Sequence, residues 1–194
     1  VCPASEIREI DVSIVGGDRI DHVDVLYNNA LIHRECPIHK KSKSNRYKIF
    51  LEMGWGEKSK DTHWQVEVNV SNGKIQTVEP HFRGYEGKGF PEEDTFADST
   101  IKFLPPGRIN LSTHTHPNPS PNNPATEGVV IELEGNQGTM VEVRINDKTY
   151  QHNLNELIDG ARTHYLGGFV SPAICFHQAV PQSEYQLQFD LKHQ

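Results

Sequence analysis

With 194 residues, of which 35% are hydrophobic and 23% charged, the chain can bury a sizeable core, which sets it apart from disordered proteins and fits one large all-β domain or two small ones. The formal charge of −7, from 19 basic and 26 acidic residues with basic residues dispersed except at Lys40-Lys41-Ser42-Lys43, argues against a nucleic-acid surface. No apolar run approaches the roughly 20 residues needed to span a bilayer.

Residues 6–15 place Ile10, Val12 and Ile14 on one face and predict a strand that breaks at Gly16-Gly17-Asp18. Residues 20–27 predict a second, which turns at Asn28-Asn29 into a third over Ala30-Leu31-Ile32-His33. Residues 46–55 predict a strand with Tyr47, Ile49, Leu51 and Met53 facing one way, and Gly54 and Gly56 beside Trp55 predict a bulge or bend. From Trp64 to Val78, apolar and polar residues alternate on both sides of Asn72-Gly73, a pattern that predicts a tight hairpin. Residues 83–98 carry no periodicity and are expected to form a long surface loop.

Strand character returns at residues 99–104, turns at Pro105-Pro106-Gly107 and continues over residues 108–113. Four prolines within residues 117–124 exclude a central strand there. Gly128 to Glu134 and Met140 to Ile145 predict a further pair, with Asn146-Asp147-Lys148 as the turn into Thr149-Tyr150. One helix is predicted over Leu154 to Ala161, opened by Asn153 as N-cap with Glu156 three residues on and closed near Gly160. Residues 169–179 and 185–191 alternate again. Together these predict an all-β fold, an antiparallel β-sandwich of about a dozen strands with one short helix. A single domain over residues 1–194 is expected, with residues 1–35 as an edge hairpin or a small lobe of it.

Cys2, Cys36 and Cys175 form neither a disulfide framework nor a cysteine zinc cluster. Spacing does not choose between a Cys2–Cys36 bridge, a Cys36–Cys175 bridge and free thiols, so the compartment stays open. The start at Val1-Cys2-Pro3, with neither an initiator methionine nor a leader pattern, is expected to mark a mature product or, preferably, a segment excised from a longer chain.

The loudest chemical motif is Thr113-His114-Thr115-His116-Pro117, because histidines at i and i+2 of a strand share a face and suit Zn or Mn. Such an ion needs further ligands, for which Glu127 and His81 are the candidates; the bland reading is two histidines leading into a proline-rich loop. Cys36-Pro37-Ile38-His39 resembles half of a zinc site but reads better as a loop. Ser171-Pro172 and Ser183-Glu184 lack a nucleophile elbow, and Cys175 in an apolar strand is expected to be buried and inert. Glu92-Glu93-Asp94 is the densest acidic cluster and reads as solvated surface. Trp55, Tyr85 and Phe82 could offer a stacking platform for a sugar, whereas Trp64 continues an apolar face and is expected in the core. Gly167-Gly168 is read as a tight turn. The residues therefore assign no catalytic, cofactor-binding or metal-ligating position.

Gly17-Asp18-Arg19-Ile20-Asp21-His22-Val23-Asp24-Val25-Leu26-Tyr27-Asn28-Asn29, then Trp64-Gln65-Val66 through Gly73-Lys74-Ile75 and Val78-Glu79-Pro80, resemble the C-terminal β-rich region of large uncharacterised bacterial proteins. Those proteins, of a domain-of-unknown-function family, pair that region with an N-terminal PHP-like domain similar to metal-dependent phosphoesterases. The resemblance implies a non-catalytic accessory or interaction domain whose partner is the rest of its own polypeptide, with the metal ligands in the missing half and no catalytic role for His114 or His116. A carbohydrate-binding module and a metal-dependent hydrolase using His114 and His116 are the alternative expectations.

Overall fold

Alternation along most of the chain dictates strands with one dry and one wet face, and the computed structural model bears this out for the residues it describes, 8–37, 45–55, 61–82, 99–115, 126–168 and 171–193. In order they form β1 (Arg8–Val15), β2 (Val23–Tyr27), β3 (Ala30–Glu35), β4 (Arg46–Gly54), β5 (Thr62–Ser71), β6 (Lys74–His81), β7 (Thr100–Leu104) and β8 (Arg108–Thr115). There follow β9 (Thr126–Glu134), β10 (Met140–Ile145), β11 (Lys148–Asn153), α1 (Leu154–Asp159), β12 (Arg162–Tyr165), β13 (Ala173–Phe176), β14 (Val180–Pro181), α2 (Gln182–Tyr185) and β15 (Gln186–His193). The predicted loop at residues 83–98 and the proline-rich segment lie outside the described residues. The chain divides into two compact units, Arg46–Ala179 and the flanking segments Val1–Asn45 with Val180–Gln194.

The larger unit is a sandwich of two antiparallel sheets, β11-β10-β5-β8-β7 and, within this unit, β12-β13-β4-β9-β6. Period-two patterning puts Ile49, Leu51 and Met53 of β4 and Val129, Ile131 and Leu133 of β9 into one buried cluster with Trp64, Val66 and Val68 of β5 and Val141, Val143 and Ile145 of β10. Each such side chain contributes roughly 1.5–3 kcal/mol when fully buried. Trp64 is fully buried, as expected, and its indole N–H donates to Thr115 Oγ1 at 3.0 Å. Without that partner a buried indole would forfeit a hydrogen bond.

The Asn72-Gly73 hairpin is not formed. Asn72 has the positive φ of 54° that a tight turn needs, but β5 pairs with β8 and β10 whereas β6 pairs with β9, in the opposite sheet. Asn72-Gly73 is a corner at which the chain changes layer. The amides that a hairpin ladder would use go elsewhere: Val70 N–H donates to the Gly107 carbonyl at 2.7 Å and Ile75 N–H to the Pro106 carbonyl at 2.8 Å. Gly107 tolerates this approach only without a side chain, since a Cβ would stand 2.5 Å from the Val70 oxygen. The expected pairing of 128–134 with 140–145 also fails, because β9 and β10 too lie in opposite sheets.

These two corners are tied together. Thr139 Oγ1 donates to the Asn72 carbonyl at 2.7 Å and accepts from Asn136 N–H at 2.9 Å, while Asn72 Nδ2 donates to the Gly138 carbonyl at 3.1 Å. Hairpins do form at β7–β8, at β10–β11 and at β12–β13. The helix is as read, one residue pair shorter: Asn153 accepts from Glu156 N–H, and the Glu156 carboxylate accepts from Asn153 N–H. Leu154 and Leu157 on its inner side join the core, and the Leu157 carbonyl accepts from Ala179 N–H at 2.8 Å.

In the smaller unit β1 pairs along its length with β15, and β2 with β3. Asn28 and Asn29 both take positive φ, 48° and 63°, which matches a two-residue primed turn. Arg34 grips Asp24 at 2.6 and 2.7 Å, and the rings of His33 and Phe189 lie 5.2 Å apart.

Thr139→Val keeps the volume of this fully buried side chain but strands the Asn136 N–H and the Asn72 carbonyl. Urea unfolding is expected to show a loss of about 1–3 kcal/mol with the slope unchanged, and Thr139→Ser is expected to recover most of it.

Candidate functional site

The outer face of the β12-β13-β4-β9-β6 sheet carries a row set by register alone: Thr163 opposite Cys175, Cys175 opposite Glu52, Glu52 opposite Gly128, and Gly128 opposite His81. His177 follows two residues after Cys175, and its backbone N–H donates to the Phe50 carbonyl at 2.9 Å, so the extended line of β13 is prolonged and both side chains share a face. His177 Nε2 lies 2.8 Å from Glu52 Oε2. The same imidazole lies beside the Cys175 thiol, and Thr163 Oγ1 donates to Cys175 Sγ at 3.4 Å.

An aromatic clamp fixes the ring. The His177 imidazole stacks on Phe50 with centroids 4.8 Å apart, and Phe50 meets His81 on its far side at 4.9 Å. Phe50 has room because residue 128 is glycine; a Cβ there would sit 2.5 Å from the Phe50 ring. The bare glycine and the aromatic ring covering it act as one packing unit.

The charges follow from this geometry. Burial pushes the Cys175 thiol up, but hydrogen bonds from His177 and Thr163 together with the imidazolium charge outweigh it and hold the thiol below its ordinary value. Hydrogen bonds to Cys175 and to Glu52 push the His177 imidazole up to about 10. The arrangement is a thiol whose ionisation is favoured, a charged imidazole and a carboxylate that orients it, the relation a thiol nucleophile requires. Cys175 is buried, as expected, and is a free thiol, but its side chain belongs to this polar row and not to the apolar core.

Other motifs are dispersed. His114 lies on the outer face of β8 directly opposite His63, with ring centroids 5.8 Å apart, and His116 lies outside the described residues. His81 and Glu127 belong to strands of the other sheet from His114. Among the described residues no group of three or more His, Cys, Asp or Glu is placed to hold a metal ion. Cys36 is an exposed free thiol; His39, Glu92-Glu93-Asp94 and Tyr85 lie outside the described residues. Trp55 is exposed with φ of 59°, and Phe82 packs against the core. On the outer face of the β11-β10-β5-β8-β7 sheet, Gln65, Glu67, Asn110, Arg144 and Asn146 line a shallow concavity. Its groups and their neighbours partly satisfy one another, as in Gln65 to Ser112 at 2.7 Å and Arg108 to Asn69 at 3.0 Å.

A second histidine cluster was invisible in the sequence. His152 of β11 and His164 of β12 come from opposite sheets, and their Nε2 atoms meet at 2.7 Å. Tyr150 stacks on His164 at 4.2 Å, Phe176 stands edge-on to both rings, and Glu156 faces His152 Nδ1 at 3.2 Å. Two imidazoles can bond in this way only while one of them is neutral.

Burial and the neighbouring His152 hold the His164 imidazole below its ordinary value. The unfolded chain therefore takes up this proton first, so the stability linked to His164 is complete above about pH 6.5 and is lost as pH falls from there through the folded value. Stability measured by urea unfolding is expected to drop between pH 7.5 and pH 5, and to drop less in His164→Phe, which keeps a ring against Tyr150; an equal drop in both would show that this pair does not titrate as described.

Comparison with family models, with curated proteins and with solved structures finds no match to this chain.

Proposed function

We propose that the chain is a non-catalytic accessory domain, an interaction module whose partner is the remainder of its own polypeptide, of the PHP-type phosphoesterase-like kind that its strand and turn motifs resemble. The observation that carries the reading is where apolar surface is left in water. Of the seven large hydrophobic side chains exposed among the described residues, five belong to the smaller unit: Ile10, Val15, Leu26, Tyr27 and Leu31. Leu26, Tyr27 and Leu31 gather at the tip of the β2–β3 hairpin, 61%, 49% and 52% exposed, with Leu26 directly opposite Leu31. The larger unit, by contrast, gathers most of its apolar residues into one buried cluster and leaves only Trp55 and Tyr165 of the seven exposed.

A two-stranded hairpin is marginal in water by itself, and grouped apolar side chains at its tip mark a surface that gains by being covered. Recognition by such a tip rests on apolar contact, with the Asp24–Arg34 pair beside it to fix orientation. No helix among the described residues is long and apolar enough to cross a membrane.

The test is binding of this chain in trans to the separately produced domain encoded upstream in the same reading frame, by titration calorimetry, with wild type and the Leu26→Ser/Leu31→Ser pair. Two leucines buried on docking account for roughly 3 kcal/mol or more, so the pair is expected to weaken binding at least tenfold. Equal binding by wild type and variant, or a reading frame without a PHP-like domain, would overturn the proposal. A dimer of the isolated chain in sedimentation, abolished by the same substitutions, would instead assign the hairpin to self-association.

A further inference from the structure

We propose that Cys175 is a thiol-modification site at which the sulfur exchanges with low-molecular-weight disulfides, with His177 and Glu52 as the residues that position and discharge it. The site is built from three strands and the residue that prolongs one of them: Thr163 on β12, Cys175 and His177 on and after β13, and Glu52 on β4. Glu52 Oε2 lies 2.8 Å from Nε2 of the imidazole, Cys175 stands directly opposite Glu52 in the ladder, and the stacked Phe50 ring packs against the imidazole. Thr163 gives the sulfur a second donor. Ile174 and Phe176 on the other face of the same strand supply its contacts to the apolar core.

Cys175 retains 9% exposure next to a His177 side chain that is 42% exposed, so the partner proposed is a small disulfide and not a thiol carried by a folded protein. In the exchange the Cys175 sulfur attacks one sulfur of RS–SR. The new Cys175–SR bond forms as the S–S bond breaks, and the departing RS⁻ takes the His177 proton and leaves as RSH. Two electrons pass from the Cys175 sulfur to the departing thiol, so the disulfide is the only oxidant the step needs. The other titratable or charged groups on this sheet face, among the described residues, are Arg46 and Lys48 of β4, Glu132 and Glu134 of β9, Lys74, Glu79 and His81 of β6 and Tyr165 of β12. Of these, His81 comes nearest in the ring stack, through Phe50.

The test uses the full chain with Cys2→Ser and Cys36→Ser, so that Cys175 is the single thiol. Incubation with oxidised glutathione at pH 7 is expected to give the mixed disulfide at Cys175 by peptide mass spectrometry. Its iodoacetamide rate at pH 6.5 is expected to exceed roughly tenfold both that of the same protein unfolded in urea and that of folded His177→Gln. Glu52→Gln is expected to fall between, and absorbance near 240 nm is expected to show the thiolate in wild type and not in His177→Gln. A native rate no higher than the unfolded one, a His177→Gln rate equal to wild type, or a thiolate that gives no adduct would each overturn the proposal. If His177→Gln does not fold, Thr163→Val decides in its place, with a two- to threefold slower rate expected and an unchanged rate against the proposal.

Discussion

Two antiparallel sheets, each with its apolar side chains on one face, leave water only by closing those faces on one another. That closure is the contact on which the rest of the larger unit depends. It explains why strands adjacent in sequence are so often not adjacent in space: β4, β5 and β6 lie alternately in one sheet and the other, and β9 and β10 do the same. Each change of layer leaves strand-end amides and carbonyls without a ladder partner, and buried backbone groups cannot stay unpaired. The β7–β8 turn takes the amides of Val70 and Ile75, and Thr139 takes the carbonyl of Asn72. The corners are thus cross-braced: a Cβ at Gly73 or Gly135 would collide with Thr139, and one at Gly107 with the Val70 carbonyl of β5.

Closing the inner faces also decides what the outer faces carry. On the β5 side, amides, carboxylates and guanidinium groups largely bond to one another, as Gln65, Ser112, Asn69, Glu67 and Arg108 do. On the β4 side the row is different in kind, because Glu52 is buried against Cys175 and His177, and an aromatic ring lies over a glycine. Burial there strengthens the electrostatic coupling among sulfur, imidazole and carboxylate. The meeting of the two sheets places His152 against His164, whereas the His177 cluster is set by strand register within one sheet.

The sequence carried the class of fold clearly and its pairing poorly. Tyr47, Ile49, Leu51 and Met53 share a face as their spacing requires, and Asn153 with Glu156 forms the capping box because that interaction is complete within four residues. Asn72-Gly73 misled because a positive-φ turn fits a hairpin and a sheet-to-sheet corner equally well, and the choice is made by distant partners such as Thr139. Cys175 and His177 had a local signal, their i and i+2 spacing on an alternating segment, which places both on one face. Glu52 had none: it is 123 positions from Cys175, and only the β13–β4 register brings it there. His164 opposite His152 is equally non-local. The apolar hairpin tip, in contrast, could be read directly from Leu26, Tyr27 and Leu31 flanking Asn28-Asn29.

The most direct test of the layered arrangement is the pattern of backbone nuclear Overhauser contacts for β5 in the isotope-labelled protein. The account requires ladder contacts from Val68 to Ile109 on one side and to Val143 on the other, with none from Val68 to Thr77. Contacts between Val68 and Thr77 would mean that Asn72-Gly73 closes a hairpin after all, and the sandwich with everything built on its outer faces would have to be abandoned.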